Sequence, residues 1–362
     1  MKVIRTTSTP KSIVQHSGEY PKKDLNPTDI VEIFETPLTG SYNWDYNVQD
    51  NRIKKLYELG KKLNWNVEVD VDWDVPFHQL DANSDMFKNE DRQWDAHEGY
   101  NKLTVEERVE FHIDMNSWAV SQYLHGEQGA LLVASQLASC APTFNAKLYA
   151  ASQTFDEARH VEAFNKYLQT RIGRTWPITV PLKSLLDKIL TDPRWDLKFI
   201  GMQVIIEGLA LAAFQATRQM AADQVFKDMI DLIIRDEARH VTFGMTYLSD
   251  FVETLSEEEK LDRAQFALEA STIMRNRMKA YPVWEKYGFD LDYTDKYNQE
   301  NIWQTQFQGI LFTRIMPNLK RIGLLHESLI PEYEKLGVMG FVDGDSDYET
   351  SWEELSKPLK DK

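Results

Sequence analysis

One cysteine, Cys140, is all that the 362 residues contain. A single thiol excludes disulfides within the chain, and it excludes iron–sulfur clusters and zinc fingers, which need several thiolates. Positive charge is also scarce: 41 Lys and Arg stand against 57 Asp and Glu, a formal charge of −16. Nucleic acid and anionic membrane surfaces both require a basic footprint, so neither is expected as a partner. Part of the acidic excess would disappear on folding if carboxylates were neutralised by bound metal. No run reaches the roughly 20 apolar residues needed to cross a bilayer. The most apolar stretch, Val204 to Phe214, is interrupted by Glu207. The opening MKVIRTTSTPKSIVQHSGEY has no apolar core of a secretory signal. These absences together predict a soluble protein of the reducing cytoplasm.

Enough apolar material is present for a large core, with 42% hydrophobic and 27% charged residues. Strand signals are few, and Gly is rare within the long periodic stretches. Residues 1–100 mix Pro and Gly with Trp/Asp-rich segments such as VEVDVDWDVPF. They read as an irregular extension packed on the main body, with one short helix near Asn51 to Leu63. Thr104 followed by Glu107 has the form of a capping box, and helix is expected from there almost unbroken to Cys140. A second helix is expected from Pro142 to about Gly173, and a shorter one from Leu182 to Thr191. Long helices should follow near 195–221, 223–255, 257–280 and 299–323. The prediction is an all-α fold, with a helical domain over 101–340 and a polar surface tail over 341–362.

Asp-Glu-Ala-Arg-His occurs twice, at 156–160 and 236–240. Steps of three and four trace one face of each long helix. They give Val120, Leu124, Glu127, Leu131 on the first and Ala150, Gln153, Glu157, His160 on the second. The third gives Val204, Glu207, Leu211, Phe214, and the fourth gives Ile230, Ile233, Glu237, His240. Each apolar stripe thus carries a carboxylate, and burying four of these together without cations would be prohibitive. Glu157/His160 and Glu237/His240 project from the same side of a turn. Four carboxylates and two imidazoles on four helices make the donor set of a di-iron or di-manganese bundle. Glu127 to Glu157 spans 30 residues, and so does Glu207 to Glu237. The halves therefore look like a duplicated helical hairpin. Two solvated, charge-rich helices would not produce that matched spacing.

At these residues, over roughly 104–255, the chain resembles the ferritin-like di-iron carboxylate superfamily. The doubled motif is most similar to the hydroxylase subunits of bacterial multicomponent monooxygenases and to ribonucleotide reductase small-subunit-like proteins. That resemblance implies a four-helix bundle holding two Fe ions, with Mn or mixed Fe/Mn as alternatives that the same donors accept. It implies Asp156, Arg159, Asp236 and Arg239 as supports behind the ligands, the arginines pairing across the two helices. It also implies O2 and a small organic substrate, an electron donor such as a ferredoxin or flavin reductase, and leaves room for a homodimer. Some positions depart from the relatives. Leu211 stands where the hydroxylases have Thr, and Phe164 where many radical-bearing subunits have Tyr. Ile230 stands where arylamine N-oxygenases usually add a third His. The expected function is an O2-dependent oxygenase that hydroxylates or N-oxygenates its substrate. An oxidase, desaturase or radical generator is the alternative, and iron storage is disfavoured by the length of the chain.

Lesser candidates complete the reading. His112 and His125 lie on the first long helix but off the stripe of Glu127. Cys140 reads as a small buried residue. Gly126, Gly129, Ala130, Gly208, Ala210 and Ala212 could open a cavity or simply let helices approach. A tryptophan near the site could relay electrons.

Overall fold

A computed structural model describes residues 33–357 apart from 78, 79, 81, 84–86, 89 and 90. Among the described residues there is no strand. The helices are α1 (Asn51–Lys62), α2 (Val105–Cys140), α3 (Phe144–Tyr167), α4 (Val180–Thr191), α5 (Trp195–Met220), α6 (Gln224–Val252) and α7 (Glu257–Asn276). Then come α8 (Tyr281–Lys286), α9 (Leu291–Glu300) and α10 (Ile302–Arg321), with short helical turns also at Val67–Asp70, Ile330–Lys335 and Trp352–Leu355.

Local chemistry sets the boundaries. The Thr104 hydroxyl accepts from the Glu107 N–H (3.2 Å), and the Glu107 carboxylate accepts from the Thr104 N–H (2.8 Å), closing the expected capping box of α2. Ser256 and Glu259 do the same for α7. Helix α3 begins one residue after its Thr143 cap and widens at its end into a π turn, Leu168–Ile172. Gly173 closes that turn at φ +73°, a conformation glycine enters without a Cβ clash.

The antiparallel pair α2/α3, joined by Ala141–Thr143, packs against the pair α5/α6, joined by Ala221–Asp223. Helix α1 lies on α3 and α6, α7 on α4 and the middle of α5, and α10 along α5. This placement explains the composition of α5. Contrary to the expectation from residue runs, Trp195–Met220 is long and apolar enough to cross a membrane, yet 94% of its most apolar window is buried inside the protein. A helix covered on every side is apolar all round.

Residues 1–32 of the expected extension lie outside the described residues. Beyond them, Asn43 Nδ2 donates to Pro142 O (2.9 Å) and the Gln49 N–H to Asn145 Oδ1 (2.8 Å). The stretch after residue 341 is not a free tail, as far as residue 357. Asp347 is buried, pairs with Arg314 and accepts from Asn318 Nδ2 (2.8 Å), while Leu355 joins the core and Lys55 Nζ sits 4.1 Å over the Trp352 ring. A few anchors hold a segment whose average composition is polar.

The middle of α5, Phe199–Ile206, is wound as a π-helix, a rare form that recurs at functional sites. Gly244 of α6 permits it, because a Cβ there would lie 2.4 Å from Gln203 Cβ. Gly244→Ala should therefore lower stability by about 1–3 kcal/mol through overpacking, despite alanine's better helix propensity. Equilibrium denaturation will test this, and an unchanged or raised midpoint would refute it.

A candidate two-metal centre in the bundle core

The bundle brings all six stripe residues together. Glu127 comes from α2, Glu157 and His160 from α3, Glu207 from α5, and Glu237 and His240 from α6. None is more than 5% exposed. Donor atoms of Glu127, Glu157, His160 and Glu237 lie within 4.8 Å of one another, as do those of Glu157, Glu207 and His240. Nδ1 of His160 faces Glu127 Oε2 (3.2 Å), Glu157 Oε2 (3.3 Å) and Glu237 Oε1 (3.1 Å). Nδ1 of His240 faces Glu157 Oε1 (3.1 Å), Glu207 Oε2 (3.4 Å) and Glu237 Oε2 (3.7 Å). Glu157 and Glu237 thus turn one oxygen toward each imidazole, while Glu127 and Glu207 each serve one. Such an arrangement could hold two metal ions, with Glu157 and Glu237 placed to serve both.

The donor set fits such ions. Glu157 Oε2, both oxygens of Glu237 and His240 Nδ1 are buried without a hydrogen-bond partner. Buried carboxylate oxygens are seldom left unanswered in a native core. Electrostatics points the same way. Burial, reinforced by Glu237, holds Glu127 well above the ordinary carboxylate range; burial with Glu157 and Glu237 does so for Glu207. Burial opposes charge on the imidazoles, but Asp236, Glu127, Glu157 and Glu237 outweigh it at His160, and Glu157, Glu207 and Asp156 outweigh it at His240, so both are raised. Glu157, between the two imidazoles, is held low in spite of burial.

Behind the donors, the second nitrogen of each ring crosses to the other helix. His160 Nε2 meets Asp236 Oδ2 (3.1 Å) and His240 Nε2 meets Asp156 Oδ2 (3.2 Å). Such contacts fix which ring nitrogen is free to bind metal. Arg159 pairs with Asp156 and reaches Asp236 (3.2 Å), and Arg239 pairs with Asp236 and approaches Asp156 (3.8 Å). The arginines meet across the helices through these shared aspartates. Burial would raise Asp236, but Arg239, His160 and Arg159 hold it low and ionised.

Several neighbours were not singled out from sequence. Gln153 Nε2 donates to Glu157 Oε1 (3.1 Å) and Glu207 Oε1 (2.8 Å). Turned so that each group meets its complement, the Gln203 amide donates to both Glu207 oxygens (2.9 Å each). A Gln four residues before a core Glu, at 153/157 and again at 203/207, was the available signal. Trp65 Nε1 donates to Asp236 Oδ2 (2.7 Å) and Asn64 Oδ1 accepts from Arg159. Both precede the helical domain, and nothing in their local sequence marks them. Trp65 is the tryptophan near the site.

Other candidates lie elsewhere or serve packing. His112 Nε2 bonds the Tyr100 hydroxyl (2.8 Å) and His125 Nε2 the Trp176 carbonyl (2.8 Å), and neither joins the cluster. Cys140 is buried. Gly129 admits Leu186, whose Cδ2 would be 2.3 Å from an added Cβ. Gly126 and Gly208, beside two of the glutamates, leave space instead: a Cβ would meet nothing within 4 Å at the first and only Ile315 Cγ1 at 3.9 Å at the second.

The family described as p-aminobenzoate N-oxygenase AurF matches residues 47–323, well over half of the chain. Two solved structures of variants of an R2-like ligand-binding oxidase with anaerobically reconstituted Mn/Fe cofactor also resemble it. The first has 18% identity, covers 77% of this chain and 96% of that one, and has a TM-score of 0.46. The second has 19% identity with the same coverage and TM-score. No curated protein matches the chain.

Elemental analysis after iron loading should find about two ions per chain, and a His160→Ala/His240→Ala double variant should lose them. Retention of both ions by that variant would place the metals elsewhere. Because burial and neighbouring carboxylates raise Glu127, Glu207 and both imidazoles toward their protonated forms, metal uptake should release protons and weaken as pH falls. Calorimetric titration in buffers of different ionisation enthalpy reads that release, and a buffer-independent heat would contradict it. Asp236→Ala or Arg159→Ala should weaken metal binding about 10- to 100-fold with the helical content preserved.

Proposed function

Since the chain belongs to the AurF family of p-aminobenzoate N-oxygenases, we propose that it uses O2 to oxidise the amino group of an arylamine. Membership makes it an oxidoreductase of the oxygenase or oxidase type, acting with O2 on an organic substrate. In this proposal two irons are held by Glu127, Glu157, His160, Glu207, Glu237 and His240, with Asp156, Arg159, Asp236 and Arg239 fixing the ligands. The observation that carries it is the doubled cluster of orphaned, buried donors within the matched span. When bound, the metal pair supplies the two-electron steps by which O2 is cleaved.

The protein's own part is to bind, orient and keep dry. Tyr123, Phe164 and Phe214 form an aromatic layer, with ring centroids 5.0 to 5.8 Å apart. Phe164 lies one turn beyond His160, and Tyr123 one turn before Glu127. An arene laid against this layer directs its amino group toward the donors. Phe164 has no phenolic hydrogen to surrender, so oxidising power is not diverted to a radical at that position. Each N-hydroxylation consumes one O2, two electrons and two protons and leaves one water. The electrons come from an external donor such as a ferredoxin or flavin reductase.

Carbon hydroxylation is the competing reading: among the described residues the donor cluster holds two imidazoles, His160 and His240. Products separate the two readings. The reduced, iron-loaded protein exposed to O2 and p-aminobenzoate should yield the hydroxylamino or nitro acid, identified by mass spectrometry. Ring-hydroxylated product alone would transfer the protein to the hydroxylases. A long-lived tyrosyl signal in high yield by EPR would transfer it to the radical generators.

A further inference from the structure

The donor stripes repeat at a spacing of 30 residues, but the residue one turn before each glutamate breaks the repeat. Tyr123 precedes Glu127 where Gln203 precedes Glu207, and Gln153 precedes Glu157 where Ile233 precedes Glu237. Both glutamines are 0% exposed. An amide in a dry core is costly unless its hydrogen bonds are met, so the choice of residue calls for a reason.

Their hydrogen bonds converge on Glu207. Gln153 Nε2 donates to Glu207 Oε1 (2.8 Å), with Glu157 Oε1 at 3.1 Å. The Gln203 amide, turned to meet its complement, donates to Oε1 and Oε2 of Glu207 (2.9 Å each) and accepts from Gln153 Nε2 (3.0 Å). An ionised carboxylate offers about four acceptor directions. The three amide contacts therefore leave about one, on Oε2, the oxygen that faces His240 Nδ1 at 3.4 Å.

Glu127 is held differently. Among the described residues the one group within hydrogen-bond distance of it is the His160 ring (3.2 Å). The Tyr123 hydroxyl turns instead to Thr217 Oγ1 (2.8 Å), and Ile233 is buried without a polar side-chain atom. Two unusual features seat Gln203 in its place: the π winding of Phe199–Ile206 and the absence of a Cβ at Gly244.

We propose that Gln153 and Gln203 are positioning residues that hold Glu207 to a single metal-binding oxygen and thereby make the two metal positions unequal. The position served by Glu207 and His240 is preorganised and fills first; that served by Glu127 and His160 fills second. This rests on the two-metal reading above and is independent of the substrate. Groups that fix a ligand carboxylate before the metal arrives strengthen its binding. Glu127 has no such support, so the second ion must order that side chain itself.

Binding can be measured without turnover. Manganese(II) added anaerobically to the metal-free full-length protein, with EPR of the free ion as readout, separates the two steps. Wild type should bind its first ion about 10- to 100-fold more tightly than its second, the range for partners that support a ligand. Gln153→Met and Gln203→Met keep the side-chain volume and remove the donors. Each should weaken the tight step by that range and leave the weak step unchanged. Gln153→Asn, which keeps an amide but draws it back by one methylene, should act in the same way if a methionine variant does not fold. His160→Ala should keep the tight step and His240→Ala should lose it, which assigns each step to its position. Mössbauer spectra of the diferrous protein should show two doublets of equal area, only one of which moves in the glutamine variants. Two equal steps in wild type overturn the proposal, as do glutamine variants in which both steps weaken together or neither does. Wild type that binds no ion sinks the two-metal reading itself, whereas two ions bound with equal affinity sink only the role of the glutamines.

Discussion

Six carboxylates share one dry layer of this bundle: Glu127, Glu157, Glu207, Glu237, Asp156 and Asp236. Two guanidinium groups, Arg159 and Arg239, are buried with them. Six negative charges less two positive leave four, which two divalent cations balance with the imidazoles neutral. Charge of this density cannot persist in a low-dielectric core without compensation. Much else in the architecture follows from that requirement. The two glutamines orient carboxylate oxygens, the aspartates hold the rings, and Trp65 brings the segment before the bundle into contact with Asp236. The acidic balance of the chain is in part an internal feature of this layer.

The cross-pairing gives the layer its rigidity. Each imidazole is held by the aspartate of the opposite Asp-Glu-x-Arg-His motif, and each arginine approaches both aspartates. Neither hairpin can therefore form its half of the site alone. A network of this kind is strong when every member is satisfied and costly when one is missing, which ties bundle assembly to the chemistry it supports.

Arg277, immediately after α7, poses the opposite electrostatic problem: it is buried, and among the described residues its Nε has no partner.

The helices, and the faces that carry Glu127, Glu157, His160, Glu207, Glu237 and His240, were legible without coordinates because helical periodicity is local. A carboxylate in an apolar stripe, an imidazole three residues on, and equal spacing in two halves place donors at one depth whatever the loops do. The capping box at Thr104 is legible for the same reason. Local rules also explain the failures. Gln203 escaped because the π winding of Phe199–Ile206 departs from the 3.6-residue period by which the stripe was traced. Trp65 escaped because only tertiary folding carries the segment after α1 to Asp236, 171 residues away. The packed stretch to residue 357 and the buried surface of α5 depend on neighbours that composition does not name. The sequence by itself determined the donor types, their helical faces and the two-fold repeat. Only the tertiary structure decided which oxygens lack partners and which arginine lacks a counter-charge, since the absence of a contact is a property of the whole packed molecule.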